Sequence, residues 1–473
     1  MKKHFIIFLF FFAAFSGTAF AEIIEHVQIG DLYYNLNTNN HTAEVTCMSY
    51  SSYNYQGLTS ISIPQSIKYN NKNYQVVSIG NSAFNRCLEL TSITIPNSIT
   101  HIGQEAFCYC RKLPSVIIPN SVTELGWGIF YECNSLTSIT IPEGITSIRG
   151  AFIYCTSLMS IEIPLSVINV DGAFNGCSNL ATIVLPENIT NIGESTFREC
   201  SKLASLTLPN NITSIGDYAF YGCTNLTSLV IPDYVSNIGN YAFCNCSGMT
   251  SIIIGEEVKE IGENSFLYCD NLTSIFWESK NYSGKTNKKS HPFKTVKDQI
   301  TSFSFGVSVE YIPSYLCEGM KNIYSISIPE GVVDIGEGAF LNCSMLRQIK
   351  LPSTLKHIGA WAFGGTFYAN KEANWEDHGL YIDKYLLSVS PYYNSSYYSP
   401  AKLYIKEGTY LVADSAAESA RVYELDIPSS LKIIGAGAFA NNYTDYYGIH
   451  ELNLPSTLEY IGEEPLRVII FSV

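Results

Sequence analysis

Cysteine is the residue type whose spacing first suggests chemistry in this sequence. Ten of the 14 cysteines recur at intervals of 22 or 23 residues, with one longer gap: Cys87, Cys110, Cys133, Cys155, Cys177, Cys200, Cys223, Cys246, Cys269 and Cys343. In an exported chain such a series can form a disulfide framework. Two Cys-x-Cys pairs, Cys108/Cys110 and Cys244/Cys246, could instead contribute thiolate ligands to a metal ion.

The regular spacing argues against both kinds of chemistry. Equivalent positions in stacked coils lie about 4.8 Å apart with parallel side chains, whereas a disulfide needs converging Cβ atoms at about 3.8 Å. The two Cys-x-Cys pairs are six repeats apart, about 29 Å at that spacing, so they cannot share an ion. Met320 and Thr366 also occupy the cysteine slot. We therefore expect buried thiols that pack as small hydrophobic groups, with disulfides and a metal site as the less favoured alternatives.

Catalytic residues are not indicated elsewhere in the chain. His101 and His357 share a repeat position at which other copies carry Ser78, Glu124, Asn191 or Asp334, which is typical of a solvated turn. The sequence has no phosphate-binding loop, no H-E-x-x-H and no G-x-S-x-G. We therefore expect no enzyme activity, no cofactor and no bound metal.

The elements that would position these residues follow from the repeat itself. One unit reads L-x-S-I-x-I-P-x-x-I-x-x-I-G-x-x-A-F-x-x-C-x-x, and its Phe recurs from Phe84 to Phe266 and again at Phe340, Phe363 and Phe439. Alternation in "LTSITIP" predicts a half-buried strand that ends at Pro96. A unit of this length cannot bury its apolar edge alone, so its neighbours must stack. The pattern predicts a repeat solenoid, a leucine-rich-repeat horseshoe or superhelix of 22–23-residue coils. It would be mostly β with short turns or 3-10 segments, and would carry a parallel β-sheet on the concave face.

The repeat resembles the BspA-like, or Treponema-type, leucine-rich-repeat family of bacterial surface proteins. The resemblance rests on "SIGNSAFNRCLELTSITIP" and its copies from Ser78 to Phe276 and from Tyr311 to Gly462, and on a cap-like opening, "GDLYYNLNTNNHTAEVT". It implies an exported protein that adheres to host or bacterial surface proteins or glycans, and it implies no shared catalytic residues.

The N-terminus predicts export. Lys2 and Lys3 precede an apolar run, and Ala19 and Ala21 form an A-x-A cleavage site, as in a secretory signal peptide. No second apolar span follows, so we expect no membrane span and a location at the cell surface, in the periplasm or outside the cell. The net charge of −14 and the 15% of charged residues make nucleic acid an unlikely partner.

The register divides the chain into eight parts. They are a signal peptide (1–21), an N-terminal β cap (22–77), leucine-rich repeats (78–277), a Lys-rich insertion (278–305), further repeats (306–366), a Tyr-rich insertion (367–402), C-terminal repeats (403–466) and an apolar tail (467–473). We expect the Lys-rich insertion to be a solvated loop. In the Tyr-rich insertion, "GLYIDKYLLSVSP" indicates either a hairpin or a degenerate repeat.

Binding residues are expected on the outer side of the strands and in the Tyr-rich insertion. One outward position is almost always Ser, which suggests a structural role, whereas the other varies and includes apolar residues. Aromatic side chains of the insertion would add contact area. The candidate binding residues are Ile117, Val184, Val230, Ile253, Phe276, Trp375, Tyr392, Tyr393, Tyr397 and Tyr398.

The sequence therefore predicts a surface adhesin or a scaffold that binds proteins or glycans. Two alternatives remain open: a structural or assembly component of the cell surface, and a glycan-binding accessory protein. The C-terminal end could serve oligomerisation, because no polar capping unit is evident there. Its apolar tail could fold back as a cap, the chain could be shortened, or a partner could cover the end.

Overall fold

The structure, a computed structural model, describes residues 22–47, 55–284, 286–287, 291–390, 401–418, 420, 422–440 and 451–464. These residues form a β-solenoid of about 15 stacked coils with parallel sheets and almost no helix. The predicted solenoid of 22–23-residue coils is confirmed. Residues 1–21, with the predicted signal peptide, and the predicted tail 467–473 lie outside the described residues.

The N-terminal cap joins the stack through its own strands. Ile23–Ile29 pairs antiparallel with Leu32–Asn37, which pairs antiparallel with Thr42–Thr46. Thr42–Thr46 then pairs in parallel with Lys72–Ile79, the strand that also pairs antiparallel with Ser66–Tyr69. Because Lys72–Ile79 pairs in parallel with the first repeat strand at His101–Ile102, the cap covers the N-terminal edge of the stack.

Most coils contribute a strand to a first parallel array, which we call ladder 1; the coil at residues 205–207 does not. In these strands Ser and the variable residue point outward while the intervening Ile, Val or Leu is largely buried, as the alternation predicts. The strands are Ser60–Ser62, Ser92–Thr94, Ser115–Ile117, Ser138–Thr140, Ser160–Glu162, Thr182–Val184, Ser228–Val230, Ser251–Ile254, Ser274–Trp277, Ser302–Phe305, Ser325–Ser327, Gln348–Lys350, Ala401–Tyr404, Val422–Asp426 and Glu451–Leu452.

A second set of two-residue strands, ladder 2, follows ladder 1 in the coils, after a proline in most of the regular ones. Its inward Ile is buried, and its outward residue is polar in the regular coils. The strands are His101–Ile102, Glu124–Leu125, Asn191–Ile192, Ser214–Ile215, Asn237–Ile238, Glu260–Ile261, Tyr311–Ile312, Asp334–Ile335, His357–Ile358, Leu411–Val412, Ile433–Ile434 and Tyr460–Ile461, with a bridge between Ser147 and Asn169.

The segment around the repeated Phe closes each coil, and we call this side the turn face. Its backbone bonds to the next coil, as when Phe107 N donates to Ile129 O at 3.0 Å. The Phe rings from Phe84 to Phe266 are fully buried and stack with centroids 5.3–5.9 Å apart and planes within 18°. Burying each ring contributes about 1.5–3 kcal/mol to the stability of the fold, so this row of rings is a major part of the hydrophobic core.

The segment predicted as a Lys-rich loop contains a coil of the solenoid. Phe293 is fully buried and its ring lies 5.3 Å from that of Phe266, so it continues the Phe row. Val296 fills the cysteine slot, and Ser302–Phe305 pairs in register with Ser274–Trp277. Residues 291–305 are thus part of the stack, and the expected solvated loop is wrong for this part. The spacing from Val296 to Ile300 is one residue longer than the equivalent spacing from Cys110 to Leu113. This coil therefore does not match the repeat pattern in the sequence.

The Tyr-rich segment begins with a short helix, Phe367–Asn370, and a 3-10 turn, Glu372–Asn374. Trp375–Glu376, Gly379–Ile382 and Tyr385–Val389 then form an antiparallel meander. Its last strand pairs in parallel with Leu411–Val412 and so enters ladder 2. The "GLYIDKYLLSVSP" stretch is therefore a hairpin that also fills a position in the stack.

None of the helices formed by the described residues is long and apolar enough to cross a membrane.

Candidate binding surfaces

The variable outward positions of ladder 1 form an exposed row with apolar members. Ile117 and Val184 are each 80% exposed, and Val230 is 58% exposed. Register pairing places Thr140 and Glu162 between Ile117 and Val184 in one four-stranded sheet. The two most exposed side chains therefore stand at opposite edges of that sheet.

The other three predicted residues of this row are direct neighbours. Val230 pairs with Ile253, and Ile253 pairs with Phe276, in consecutive parallel strands. Ile253 and Phe276 are half-buried. Neighbouring strands lie about 4.8 Å apart, so these side chains form one continuous apolar patch. We call this the Val230–Phe276 patch; Ser304 adjoins it on the next strand.

The predicted residues of the Tyr-rich segment do not join that row. Trp375 is half-buried and packs against the core, and its Nε1 donates to the carbonyl of Ala369 at 2.6 Å. It is held in place by the fold instead of projecting as a contact residue. Tyr392, Tyr393, Tyr397 and Tyr398 lie outside the described residues.

The repeated cysteines have a structural partner in the preceding coil. All 14 cysteines are free and buried. The thiol of Cys133 lies 3.1 Å from the carbonyl oxygen of Phe107, and that of Cys200 lies 3.2 Å from the carbonyl oxygen of Phe174. The same contact recurs at Cys110, Cys155, Cys177, Cys223, Cys246, Cys269 and Cys343. Each of these nine thiols therefore packs in the core and bonds across the coil boundary.

Family comparison agrees with this geometry. Residues 77–172, 170–288, 286–394, 310–444 and 409–467 match the model of the BspA type leucine rich repeat region. The chain belongs to the BspA-type family. The resemblance seen in the repeat is confirmed, and the family is a bacterial leucine-rich-repeat family of the surface type.

Solved structures similar to this BspA-type chain come from several bacteria. A leucine-rich repeat protein from Bacteroides ovatus shares 29% identity over 72% of this chain and 92% of its own, with a TM-score of 0.53. A leucine rich cell surface protein from Faecalibacterium prausnitzii shares 23% identity over 95% and 96%, with a TM-score of 0.34. The leucine rich repeat protein of T. pallidum shares 24% over 48% and 91%, with a TM-score of 0.35. No curated protein matches this chain.

The turn face of this BspA-type chain carries aromatic residues that are not among the predicted binding residues. Tyr109 and Tyr131 have ring centroids 5.5 Å apart, and Tyr131 and Tyr154 are 5.9 Å apart. The guanidinium groups of Arg86 and Arg111 lie 4.8 and 5.4 Å from the Tyr109 ring, which is cation–π distance. The missed signal is the position beside the cysteine slot, where Tyr109 and Tyr154 recur.

A histidine that was expected to be a solvated turn residue is held by two carboxylates. His357 Nδ1 lies 2.7 Å from Asp334 Oδ1, and Nε2 lies 2.8 Å from Asp414 Oδ2. These hydrogen bonds, to Asp334 first and Asp414 second, raise the pKa of His357 to about 10 against the opposing effect of burial. The expectation was wrong because Asp414 is 57 residues away in sequence and a repeat-slot comparison does not include it.

His291 differs from His357 in both its contacts and the direction of its pKa shift. Its side chain is wholly buried, and neither ring nitrogen has a hydrogen bond to any residue that the structure describes, although Glu318 Oε2 lies 3.8 Å from Nε2. Burial, reinforced by Lys297, lowers the pKa of His291 to about 4. Within the described part of the chain, no group of three or more His, Cys, Asp or Glu side chains is placed to hold a metal ion.

Proposed function

We propose that this BspA-type chain is an exported surface protein that binds a protein partner through the outer side of ladder 1. The observation that carries the proposal is the exposure of aliphatic side chains there: 80% for Ile117 and Val184, and 58% for Val230. An apolar strip left in water on a folded protein often marks an interaction surface.

The composition of the surface favours a protein over other partners. Around the Val230–Phe276 patch the outward residues are Ser228, Ser251 and Ser274, whose small hydroxyls allow close approach. Such a patch with an uncharged polar surround matches the core and rim of a protein–protein interface. The net charge of −14 disfavours nucleic acid.

Export and a non-catalytic role are parts of the same proposal. The basic and apolar N-terminus, with its A-x-A site, supports secretion. Membership of a surface-type repeat family supports a binding scaffold. Both nitrogens of His357 are already engaged by carboxylates, which leaves that histidine without a site for a substrate proton.

The test is binding of the purified protein to an array of purified extracellular-matrix proteins, followed by biolayer interferometry with each binder. In the test variant, Val230→Asp with Ile253→Asp, two carboxylates replace adjacent apolar side chains of the patch. Ser62→Asp with Thr94→Asp is the matched control, because it introduces the same two charges at the same repeat position in two distant strands that pair with each other. Far-UV circular dichroism checks that each variant is folded.

We expect at least one matrix protein to bind saturably and the double variant to weaken that binding by about tenfold or more, with the control unchanged. Binding that survives the double variant would move recognition away from this patch. Absence of binding across the array would contradict the adhesin proposal, and concentration-dependent self-association in its place would favour the assembly alternative.

A further inference from the structure

A small cavity lies between the coil that ends at Thr366 and the hairpin of the Tyr-rich segment. Its volume is about 180 Å³, and both Trp361 and Trp375 line it. Trp361 is 52% exposed. Trp375 is half-buried and anchored by its hydrogen bond to Ala369. One indole therefore stands at the solvent side of the cavity, while the other is a fixed part of its wall.

The cavity exists because this coil departs from the repeat. The preceding coil carries Leu341 and Asn342 directly after its Phe, and this coil carries Gly364 and Gly365 at the same two positions. Gly365 has φ of +68°, and a Cβ atom there would come within 2.5 Å of Asn342 Oδ1. Two side chains that fill the turn face in the coil before are thus missing here, and both glycines line the cavity.

The residue in the cysteine slot of this coil positions a helix that contributes to the cavity wall. Thr366 replaces the cysteine, and its hydroxyl donates to Phe363 O at 2.8 Å and accepts from Ala369 N at 3.0 Å. It therefore caps the helix Phe367–Asn370. That helix brings Asn370 to the rim of the cavity, and the hairpin brings Ser388 there.

Some polar groups of the cavity already have hydrogen-bond partners within the protein, and we call these committed; the others we call uncommitted. Asp414 is committed, because its carboxylate accepts from His357 at 2.8 Å and from Ala436 N at 2.7 Å. Among the residues that the structure describes, no hydrogen-bond partner is found for the side chains of Asn370, Ser388 and Ser415. An amide and two hydroxyls can each donate and accept, so the uncommitted groups suit a ligand rich in hydroxyls.

We propose that this cavity binds one neutral sugar ring, a hexopyranose at the end of a glycan chain. The apolar CH face of such a ring can pack on an indole while its hydroxyls bond to the amide and hydroxyl groups at the rim. Drug-sized ligands occupy pockets of about 300–1,000 Å³, so the smaller volume here suits a single ring. The uncommitted groups are uncharged, and they offer neither a carboxylate to a cation nor a cationic group to an anion.

This site is separate from the protein-binding surface proposed above, because the Val230–Phe276 patch lies in earlier coils on ladder 1. Either proposal can therefore fail without the other.

The test is saturation-transfer difference NMR of the purified protein with the methyl glycosides of glucose, galactose, mannose, N-acetylglucosamine and N-acetylgalactosamine. Trp361→Ala removes the exposed indole. Ser388→Leu keeps both indoles, removes a hydroxyl and fills the cavity, and it decides the matter if Trp361→Ala is unfolded. Trp127→Ala is the matched control, because Trp127 is a 43% exposed tryptophan on the turn face of a distant coil.

We expect at least one glycoside to show saturation transfer with weak, roughly millimolar affinity, as befits a ligand of few atoms. Trp361→Ala and Ser388→Leu should each weaken it by about tenfold or more, and Trp127→Ala should leave it unchanged. The proposal is overturned if no glycoside shows transfer with the folded wild-type protein, or if the signal persists in Ser388→Leu.

Discussion

The Nε2 atom of His357 lies 2.8 Å from an oxygen of Asp414, a residue 57 positions further along the chain. This contact spans the whole Tyr-rich segment and ties the coil before it to the coil after it. Since Nδ1 also meets Asp334 in the preceding coil, one imidazolium joins three levels of the stack. An interruption in the repeat is thereby held in register by charge as well as by packing.

The stability of the protein should fall at alkaline pH because of this histidine. The pKa of His357 is raised from 6.5 to about 10 in the folded state, mainly by its hydrogen bonds to Asp334 and Asp414. A raised pKa means that the stabilisation is fully present below pH 6.5 and is lost as the pH rises through 10. We expect the free energy of unfolding, measured with urea, to decline across this range more steeply in the wild type than in His357→Gln.

His101→Gln is the control for this prediction. His101 occupies the same repeat position, but it has one loose contact, 3.3 Å to Glu124. The control should retain the steep decline of the wild type. If His357→Gln shows the same pH profile as the wild type, the contact does not carry the stabilisation assigned to it.

The cysteine row should remain reduced and unreactive in the native protein. Burial raises the pKa of the Cys177 thiol to about 12, so little thiolate is available for oxidation or alkylation. We expect Ellman's reagent at pH 8 to detect almost no thiol in the folded protein and all 14 in guanidinium. A lower count in guanidinium under non-reducing conditions would reveal disulfides.

Replacing one of these cysteines should cost stability through lost packing and a lost hydrogen bond. Cys177 is fully buried and its sulfur lies 3.1 Å from the carbonyl oxygen of Phe152. We expect Cys177→Ala to lower the free energy of unfolding by about 1–2 kcal/mol. A change within 0.5 kcal/mol, a size typical of surface substitutions, would mean that the slot merely tolerates a thiol.

The regular coils could be predicted from sequence because each one repeats the same local physics. Alternation around Ile93 and Ile95 predicts a strand, and Pro96 predicts its end. The outward residues of ladder 1, such as Ile117 and Val184, follow from the same period of two, and both are indeed exposed. A row of equivalent residues on one face can thus be predicted without knowing which distant residues are in contact.

The other features depend on contacts between distant residues. Asp414 meets His357 only because the hairpin Gly379–Ile382 and Tyr385–Val389 folds back into ladder 2. The cavity beside Trp361 depends on the absence of side chains at Gly364 and Gly365, and the repeat pattern treats these positions as variable. Comparing equivalent repeat positions predicts the residues that pack within a regular coil. It does not predict which residues of an inserted segment contact that coil.

The glycine before one cysteine slot should be sensitive to the addition of a methyl group. Gly176 has φ of +76°, and a Cβ atom there would lie 2.1 Å from the ring of Tyr154. A left-handed backbone costs a residue with a Cβ about 1–2 kcal/mol, and the ring must also move. We therefore expect Gly176→Ala to lower the melting temperature by several degrees in a differential scanning fluorimetry experiment.

Glu199→Ala is the matched control for the glycine. Glu199 occupies the same slot in the next coil with φ of +60°, so a Cβ atom is already accommodated there. We expect its effect to stay within about 0.5 kcal/mol. Equal effects of the two substitutions would rule out the ring contact and the glycine conformation as the cause.

The coil within the Lys-rich segment should be as important for stability as a regular one. Phe293 is fully buried between the rings of Phe266 and Phe303, at 5.3 and 6.0 Å. We expect Phe293→Ala to lower the free energy of unfolding by about 3–5 kcal/mol, as for other large-to-small changes in a core. Phe243→Ala in a regular coil should match it, since Phe243 is equally buried and stacks on both neighbours.

The half-buried Phe276 of ladder 1 separates this prediction from a general effect of removing an aromatic ring. Phe276→Ala leaves the core intact, and we expect a loss of only about 1 kcal/mol. Urea unfolding followed by far-UV circular dichroism compares the three variants. Because neighbouring coils stabilise one another in a linear stack, loss of Phe293 should also create an early unfolding step at the middle of the chain. A solvated loop would behave differently: Phe293→Ala would then change neither the midpoint nor the shape of the transition.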